Sequence, residues 1–338
     1  MTESTLSAGY ADLRLAIAHY LGMTLTVASW STNDLAVLEM VLKRALRQFY
    51  FPPSVNNQEP HQWSFLKPVT TIATVAPYDT GTIAVAITGT TVTLTTGVWP
   101  SWTATHGSLV VDNAEYVISS RTDDTHLELT DAWTEATETA AEYTLRHDGN
   151  YDLPDDFGGI EGDIVVESAN YKPMITLVGE GRIRQLRQTS YSSSTPYYAA
   201  VRPKEHETTT TGQRFEILFY PTPDAVMTFS YVKRILPQML VDTILEYPYG
   251  GAEHAETILA ACLAVAEEQE NGNTLNGRYS DTKKKLFAER LAASIALDKQ
   301  MNGVTYFGYN SDKSDILHRA DNDRPNRRGN DQGLVTYG

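Results

Sequence analysis

Eight histidines stand along the chain, at His19, His61, His106, His126, His147, His206, His254 and His318. A helix offers two imidazoles to one metal ion when they lie three or four residues apart, and no pair here has that spacing. H-E-x-x-H is absent, and the single cysteine, Cys262, leaves no zinc-finger pattern. His254 lies between Glu253 and Glu256 at the start of a predicted helix. Acids there favourably meet the positive end of the helix dipole, which explains the cluster better than a metal does. Asp148-Gly-Asn150-Tyr-Asp152, followed by Asp155, offers oxygens in the manner of a calcium loop. Its sixth position is Leu153 instead of Gly and its twelfth is Gly159 instead of Glu, so a solvated turn is the better reading and Ca²⁺ the lesser one.

Other chemistries are no better served. Gly179-Glu-Gly181 lacks the third glycine and the Lys-Ser/Thr pair of a phosphate cradle. G-x-S-x-G is absent. Cys262 sits among small apolar residues in a predicted helix, where a thiol is buried and inert. Acid pairs are so plentiful that none stands out as a glycosidase dyad. The sequence therefore points to no catalytic residue, no metal and no cofactor.

Adhesive residues are more telling. Of the 19 tyrosines, groups fall at Tyr197-Tyr198, at Tyr247 and Tyr249, and at Tyr306 and Tyr309. Tyrosine suits surfaces that are wet alone and buried in an assembly. The segment 301–338 is rich in Asn, Asp, Gly and Arg, with apolar spots at Tyr306, Phe307 and Tyr309 and again at Leu334 and Tyr337. Such a segment orders against a partner or stays unstructured. Lys283, Lys284 and Lys285 open the last predicted helix at the end that disfavours positive charge. They read either as a solvated patch or as a contact with acids of a neighbouring subunit.

These residues need elements to hold them. Apolar positions recur at helical spacing over 7–21, and Ser31 to Asp34 offer caps for a second helix that Pro52 and Pro53 stop. Leu35, Leu38, Leu42, Leu46 and Phe49 form its stripe. From about 252 to 270 a third helix is apolar around its whole circumference, which places it centrally. A fourth runs over about 280–299. Between them the pattern is β. Short Thr- and Val-rich segments at 82–87, 91–95, 108–111, 115–119, 126–130 and 142–145 predict a small barrel or sandwich, with Thr88-Gly89 and Asp112-Asn113 as tight turns. Further strands are predicted at 163–167, 175–177, 197–201, 214–219 and 227–233, with a short helix near 182–187.

The fold class is thus α+β. An α-helical bundle, 1–69 with 249–300, is interrupted by a β-sandwich or barrel region. That region holds an extra small all-β module at 70–147 and a β-rich domain at 148–248. An extended tail, 301–338, closes the chain. The 338 residues suffice for two or three domains. No run approaches the ~20 apolar residues that span a bilayer, and Met1 to Gly9 lack the pattern of a signal peptide. One cysteine excludes an intrachain disulfide and fits a reducing compartment.

The net charge is −15, and most of it falls on one segment. Residues 70–150 carry only Arg121 and Arg146 against eleven acids, whereas residues 1–69 are balanced. Gripping nucleic acid through its phosphates takes a basic footprint, which this chain lacks.

Four stretches taken together resemble the head-to-tail connector (adaptor, or neck) proteins of tailed double-stranded DNA bacteriophages. They are Leu46-Arg-Gln-Phe-Tyr-Phe-Pro-Pro53, Tyr151-Asp-Leu-Pro-Asp-Asp-Phe-Gly-Gly-Ile-Glu-Gly162, Phe219-Tyr-Pro-Thr-Pro-Asp224 and Tyr247-Pro-Tyr-Gly-Gly-Ala-Glu-His-Ala-Glu256. All are turns and helix starts and none is a mechanistic signature. The resemblance implies a structural virion protein without catalysis, assembled in the host cytoplasm into a homo-oligomeric ring, usually twelvefold, beneath the portal protein. The ring would extend the DNA channel, let DNA pass without sticking, and seat a downstream tail or nozzle protein. Membrane contact is not implied. Tyr306, Phe307, Tyr309, Leu334, Tyr337, Tyr247, Tyr249 and Lys283 to Lys285 are then the expected portal and subunit contacts. The acidic 70–147 module looks like an addition to the simpler members. A competing reading makes the chain a tail or baseplate protein that binds host glycan through that module; Trp99, Trp102 and Trp133 could stack on sugars there, although core or rim places in the barrel suit them better.

Overall fold

The computed structural model describes residues 3–53, 60–166, 175–189, 193–205, 212–241, 246–273 and 282–301. In chain order the main elements are α1 (Tyr10–Tyr20), α2 (Thr32–Tyr50), β1 (Val69–Ala73), β2 (Ile83–Val85), β3 (Thr91–Leu94) and α3 (Thr103–His106). Next come β4 (Gly107–Val111), β5 (Ala114–Arg121), β6 (His126–Leu129), β7 (Glu138–Ala141), β8 (Thr144–His147), β9 (Asn150–Asp152) and β10 (Phe157–Val166). Then follow β11 (Thr176–Leu177), α4 (Glu180–Thr189), β12 (Tyr198–Pro203), β13 (Phe215–Tyr220), β14 (Thr228–Ile235), α5 (Gly251–Asn273) and α6 (Thr282–Met301). The class is mixed α and β. The chain divides into two compact units, one made of 1–65 with 239–338 and the other of 66–238.

The first unit is helical. Ser31 caps α2 reciprocally: its hydroxyl accepts the Asp34 amide, and the Asp34 carboxylate accepts the Ser31 amide at 2.9 Å. Leu38, Leu42, Leu46 and Phe49 are buried along the expected stripe, with Val41 and Ala45 filling between them. Helix α5 packs on α1, α2 and α6. Its Ile258, Ala261, Cys262, Val265 and Ala266 are fully buried, so the all-round apolar pattern does mark the central helix. The Tyr10 amide donates to the Glu246 carbonyl at 2.8 Å, tying the start of α1 to the chain leading into α5. The Trp63 indole donates to the Phe49 carbonyl at 2.8 Å, so the chain after Pro53 folds back on the end of α2.

The second unit holds three sheets. Seven strands in the order β7-β2-β3-β6-β5-β4-β8 form one curled sheet around a single core. The core takes Val92, Leu109, Leu127 and Leu145 from four strands and Trp99 and Trp133 from the loops. This sheet is what forms where a barrel or sandwich was expected. Edge strand β7 pairs with β2, whereas β8 pairs with β4 on one side and on the other bridges Tyr78 through Leu145, whose amide donates to the Tyr78 carbonyl at 2.7 Å. Asp112 and Asn113 both have positive φ (50° and 70°), the geometry of the two-residue turn that matches strand twist, and they join β4 to β5.

The other two sheets face each other. β1-β14-β10 and β11-β12-β13-β9 share a core that includes Phe157, Ile164, Ile217, Phe219 and Phe229. Strand β1 lies at the start of the predicted small module, yet it pairs with β14 from Val69↔Val232 to Ala73↔Thr228 and belongs here. Residues Ala200, Leu218 and Tyr220 turn to the opposite face of the second sheet, where Ile183 of α4 covers them. Burial on both faces explains the continuous apolar run Ile217–Tyr220 in β13.

Candidate functional site

Pairing of β4 with β8 assembles the main cluster of chemical groups. The register sets Gly107 opposite His147, so the residues just outside the ladder, His106 and Asp148, become neighbours. The Asp148 amide donates to the His106 carbonyl at 2.9 Å and prolongs the pairing by one step. Gly107 fits tightly there, since a Cβ would lie 2.9 Å from Ile118 and 3.3 Å from Thr103. The chain then turns through Gly149, whose φ of +78° favours glycine, into β9.

The side chains form one network. His106 Nδ1 lies 3.2 Å from Asp148 Oδ2, and His147 Nδ1 lies 3.3 Å from Asp148 Oδ1. The Gly149 amide donates to His147 Nδ1 at 3.0 Å. Asp148 also accepts from the Asn150 amide and side chain, both at 2.8 Å. Arg187 of α4 reaches in, donating to Asn150 Oδ1 at 2.8 Å and to the Phe219 carbonyl at 2.9 Å. The His106 and His147 rings stack with centroids 5.2 Å apart, and His147 stacks on Tyr151 at 4.3 Å. A cleft of about 310 Å³ lies alongside, lined by Ser108, Glu115, Arg146, Arg187 and the two histidines.

Burial divides the two imidazoles. His147, with 4% of its side chain exposed, is pushed down to about 4 by desolvation and is neutral at pH 7. His106 is raised, first by its hydrogen bond to Asp148. One donor atom each from His106, His147 and Asp148 can be chosen within 4.8 Å of one another, a spacing able to hold a metal ion. The sequence showed this only dimly. Asp148 was read in a solvated turn, and His106 stands 41 residues before His147. Only the strand register brings the two together.

The residues expected to make contacts are placed as follows. The Tyr249 amide donates to the Tyr50 hydroxyl at 2.9 Å, with the two rings edge to face. The Tyr247 ring lies over Gly9, where a Cβ would meet it at 3.5 Å. Lys283 and Lys284 are engaged within the chain. The buried Glu267 carboxylate accepts the Lys283 amide at 2.9 Å and so caps α6, while Lys284 Nζ lies 3.8 Å from Glu268. That capping carboxylate offsets three lysines at a helix N-terminus. Lys285 is exposed. Tyr306, Phe307, Tyr309, Leu334 and Tyr337 lie outside the described residues.

His254 is 2% exposed and packs against Phe49, Trp63 and Phe65, because α5 turns this face to the core. Trp99 and Trp133 are each 1% exposed in the core of the curled sheet, so neither offers a stacking platform for sugar.

Comparison with known proteins places the chain in a class first: it is an adaptor-type structural protein of a bacteriophage. Residues 101–306 match the family model described as SU10 adaptor protein, and the chain belongs to that family. The matched span begins at Ser101, inside the curled sheet, and contains three of the four stretches that carry the resemblance. No curated protein matches the sequence.

Proposed function

We propose that this protein is a head-to-tail adaptor that forms a homo-oligomeric ring, twelvefold, beneath the portal at the virion neck. The ring extends the DNA channel and offers a platform to the tail or nozzle protein below. The family match over 101–306 carries this reading. Within it, 1–69 and 249–300 act as a helical bundle that packs side by side with its neighbours, and 70–147 acts as a module of its own. The tail 301–338 docks on the portal through Tyr306, Phe307, Tyr309, Leu334 and Tyr337. Tyr247, Tyr249 and Lys285 serve the contacts between subunits. An acidic lumen keeps DNA sliding, because each fixed cation would add a phosphate contact to break during ejection. Cyclic contacts use two different faces of one subunit, which fits a chain with several separate adhesive patches.

The test is to mix the purified protein with its portal and examine the product by mass photometry and negative-stain microscopy. Rings coaxial with the portal are expected, and chains that stay monomeric beside it would defeat the proposal. Removal of residues 303–338 is expected to leave the circular dichroism spectrum of the remainder intact and to abolish portal docking. The glycan-binding alternative has lost Trp99 and Trp133, and no other observation favours it.

A further inference from the structure

We propose that His106, His147 and Asp148 form a site for a divalent transition ion of the Zn²⁺ class, which would clamp the end of α3 to the β8–β9 junction. Two imidazole nitrogens and one carboxylate oxygen are a donor set for Zn²⁺ and its neighbours; Ca²⁺ and Mg²⁺ want oxygen throughout.

The geometry points to the same conclusion. A tetrahedral Zn²⁺ with bonds of about 2.0–2.1 Å holds neighbouring donors about 3.3 Å apart. Here Asp148 lies 3.2 Å from His106 Nδ1 and 3.3 Å from His147 Nδ1, through its two oxygens, so a modest turn of the carboxylate presents one oxygen to both rings. His147 Nδ1 accepts the Gly149 amide and so carries no proton, yet it faces a carboxylate oxygen, which is also an acceptor. Two acceptors at that distance repel; a cation between them converts the repulsion into two bonds. His106 supplies the third observation. Its Nε2 is enclosed and has no hydrogen-bond partner among the described residues, and it lies 3.9 Å from Asp152 Oδ1. A metal on Nδ1 fixes the proton on Nε2, and Asp152 then stands where an outer carboxylate orients a ligating histidine. The adjoining cleft leaves room for water in a fourth position. Binding must displace the Gly149 amide from His147 Nδ1, so the site has to open slightly to fill.

The experiment uses the full chain, stripped with chelator and titrated with Co²⁺, whose visible absorption reports tetrahedral nitrogen and oxygen ligation. One Co²⁺ per chain is expected, with the colour abolished by Zn²⁺ and unaffected by excess Ca²⁺. His147→Gln and Asp148→Asn are each expected to weaken binding by more than about 100-fold, and Asp152→Asn by about 10–100-fold. His126→Gln, an imidazole outside the cluster, should bind as wild type. Circular dichroism of each metal-free variant checks folding. Should His147→Gln fail to fold, Asp148→Asn carries the test, because it keeps an acceptor for the Asn150 amide. Absence of a stoichiometric Co²⁺ spectrum in wild type, unchanged binding in Asp148→Asn, or displacement by Ca²⁺ would each overturn the proposal.

Discussion

Individual buried groups in the helical unit carry sharp consequences. Cys262 has no exposure, and burial pushes its thiol up to about 12. A thiol held protonated behind α1, α2 and α6 is a poor nucleophile, so Ellman-type reagents should leave the native protein unlabelled and react with one equivalent only after denaturation. His254 is lowered, chiefly by burial among aromatic rings, with Glu253, Asp298 and His61 as the charged or titratable groups acting on it. The unfolded chain binds the proton more readily than the folded one. Its contribution to stability is therefore present above the ordinary histidine value of about 6.5 and is lost as pH falls through the depressed folded value. Unfolding titrations at stepped pH are expected to show stability falling between pH 7 and pH 5, with a shallower slope for His254→Phe, which keeps the ring packing and has no proton to gain. An unaltered slope in the variant would assign the effect to other groups. The burial of Cys262 was legible in its small apolar neighbours, whereas that of His254 was not, because the rings that enclose it come from α2 and from residues 63–65.

Elements divide by how local their causes are. Helices α1, α2, α5 and α6 were readable because a stripe every three or four residues is a property of one segment, and Ser31 with Asp34 is a self-contained cap. The β4–β5 hairpin was readable because Asp112-Asn113 names its own turn. Strand β7 was missed: Glu138–Ala141 has only small and polar residues without alternation, and it exists because β2 offers an unpaired edge. Partner choice was also hidden for β1, which crosses to β14, and for β4 with β8, whose register builds the His106–His147–Asp148 cluster. Long-range pairing leaves no mark at fixed spacing. The central position of α5 is the reading that can be challenged most directly. Ala261 is fully buried, so Ala261→Trp is expected to overpack the helix and cost about 1–3 kcal/mol or more, measured as a lowered denaturant midpoint. A midpoint equal to wild type would mean that this face of α5 has space to spare.

At the scale of the whole molecule, charge and connectivity are the governing features. With a net charge of −15, the isolated chain should not retard double-stranded DNA of random sequence in a gel at physiological salt. Retardation that faded with rising salt would reveal a basic face that the overall charge conceals. The connectivity has a different consequence. Residues 1–65 and 239 onward make one unit, with 66–238 inserted between its halves. The apolar stripe of α2 therefore leaves the ribosome long before α5, its principal cover. At translation speeds of about 5–20 residues per second, the interval is on the order of ten to forty seconds. The inserted unit, whose strands pair among themselves, can finish folding within that delay, whereas the first two helices must wait with greasy faces uncovered. Nascent chains halted before residue 250 should accordingly be the ones that recruit chaperones.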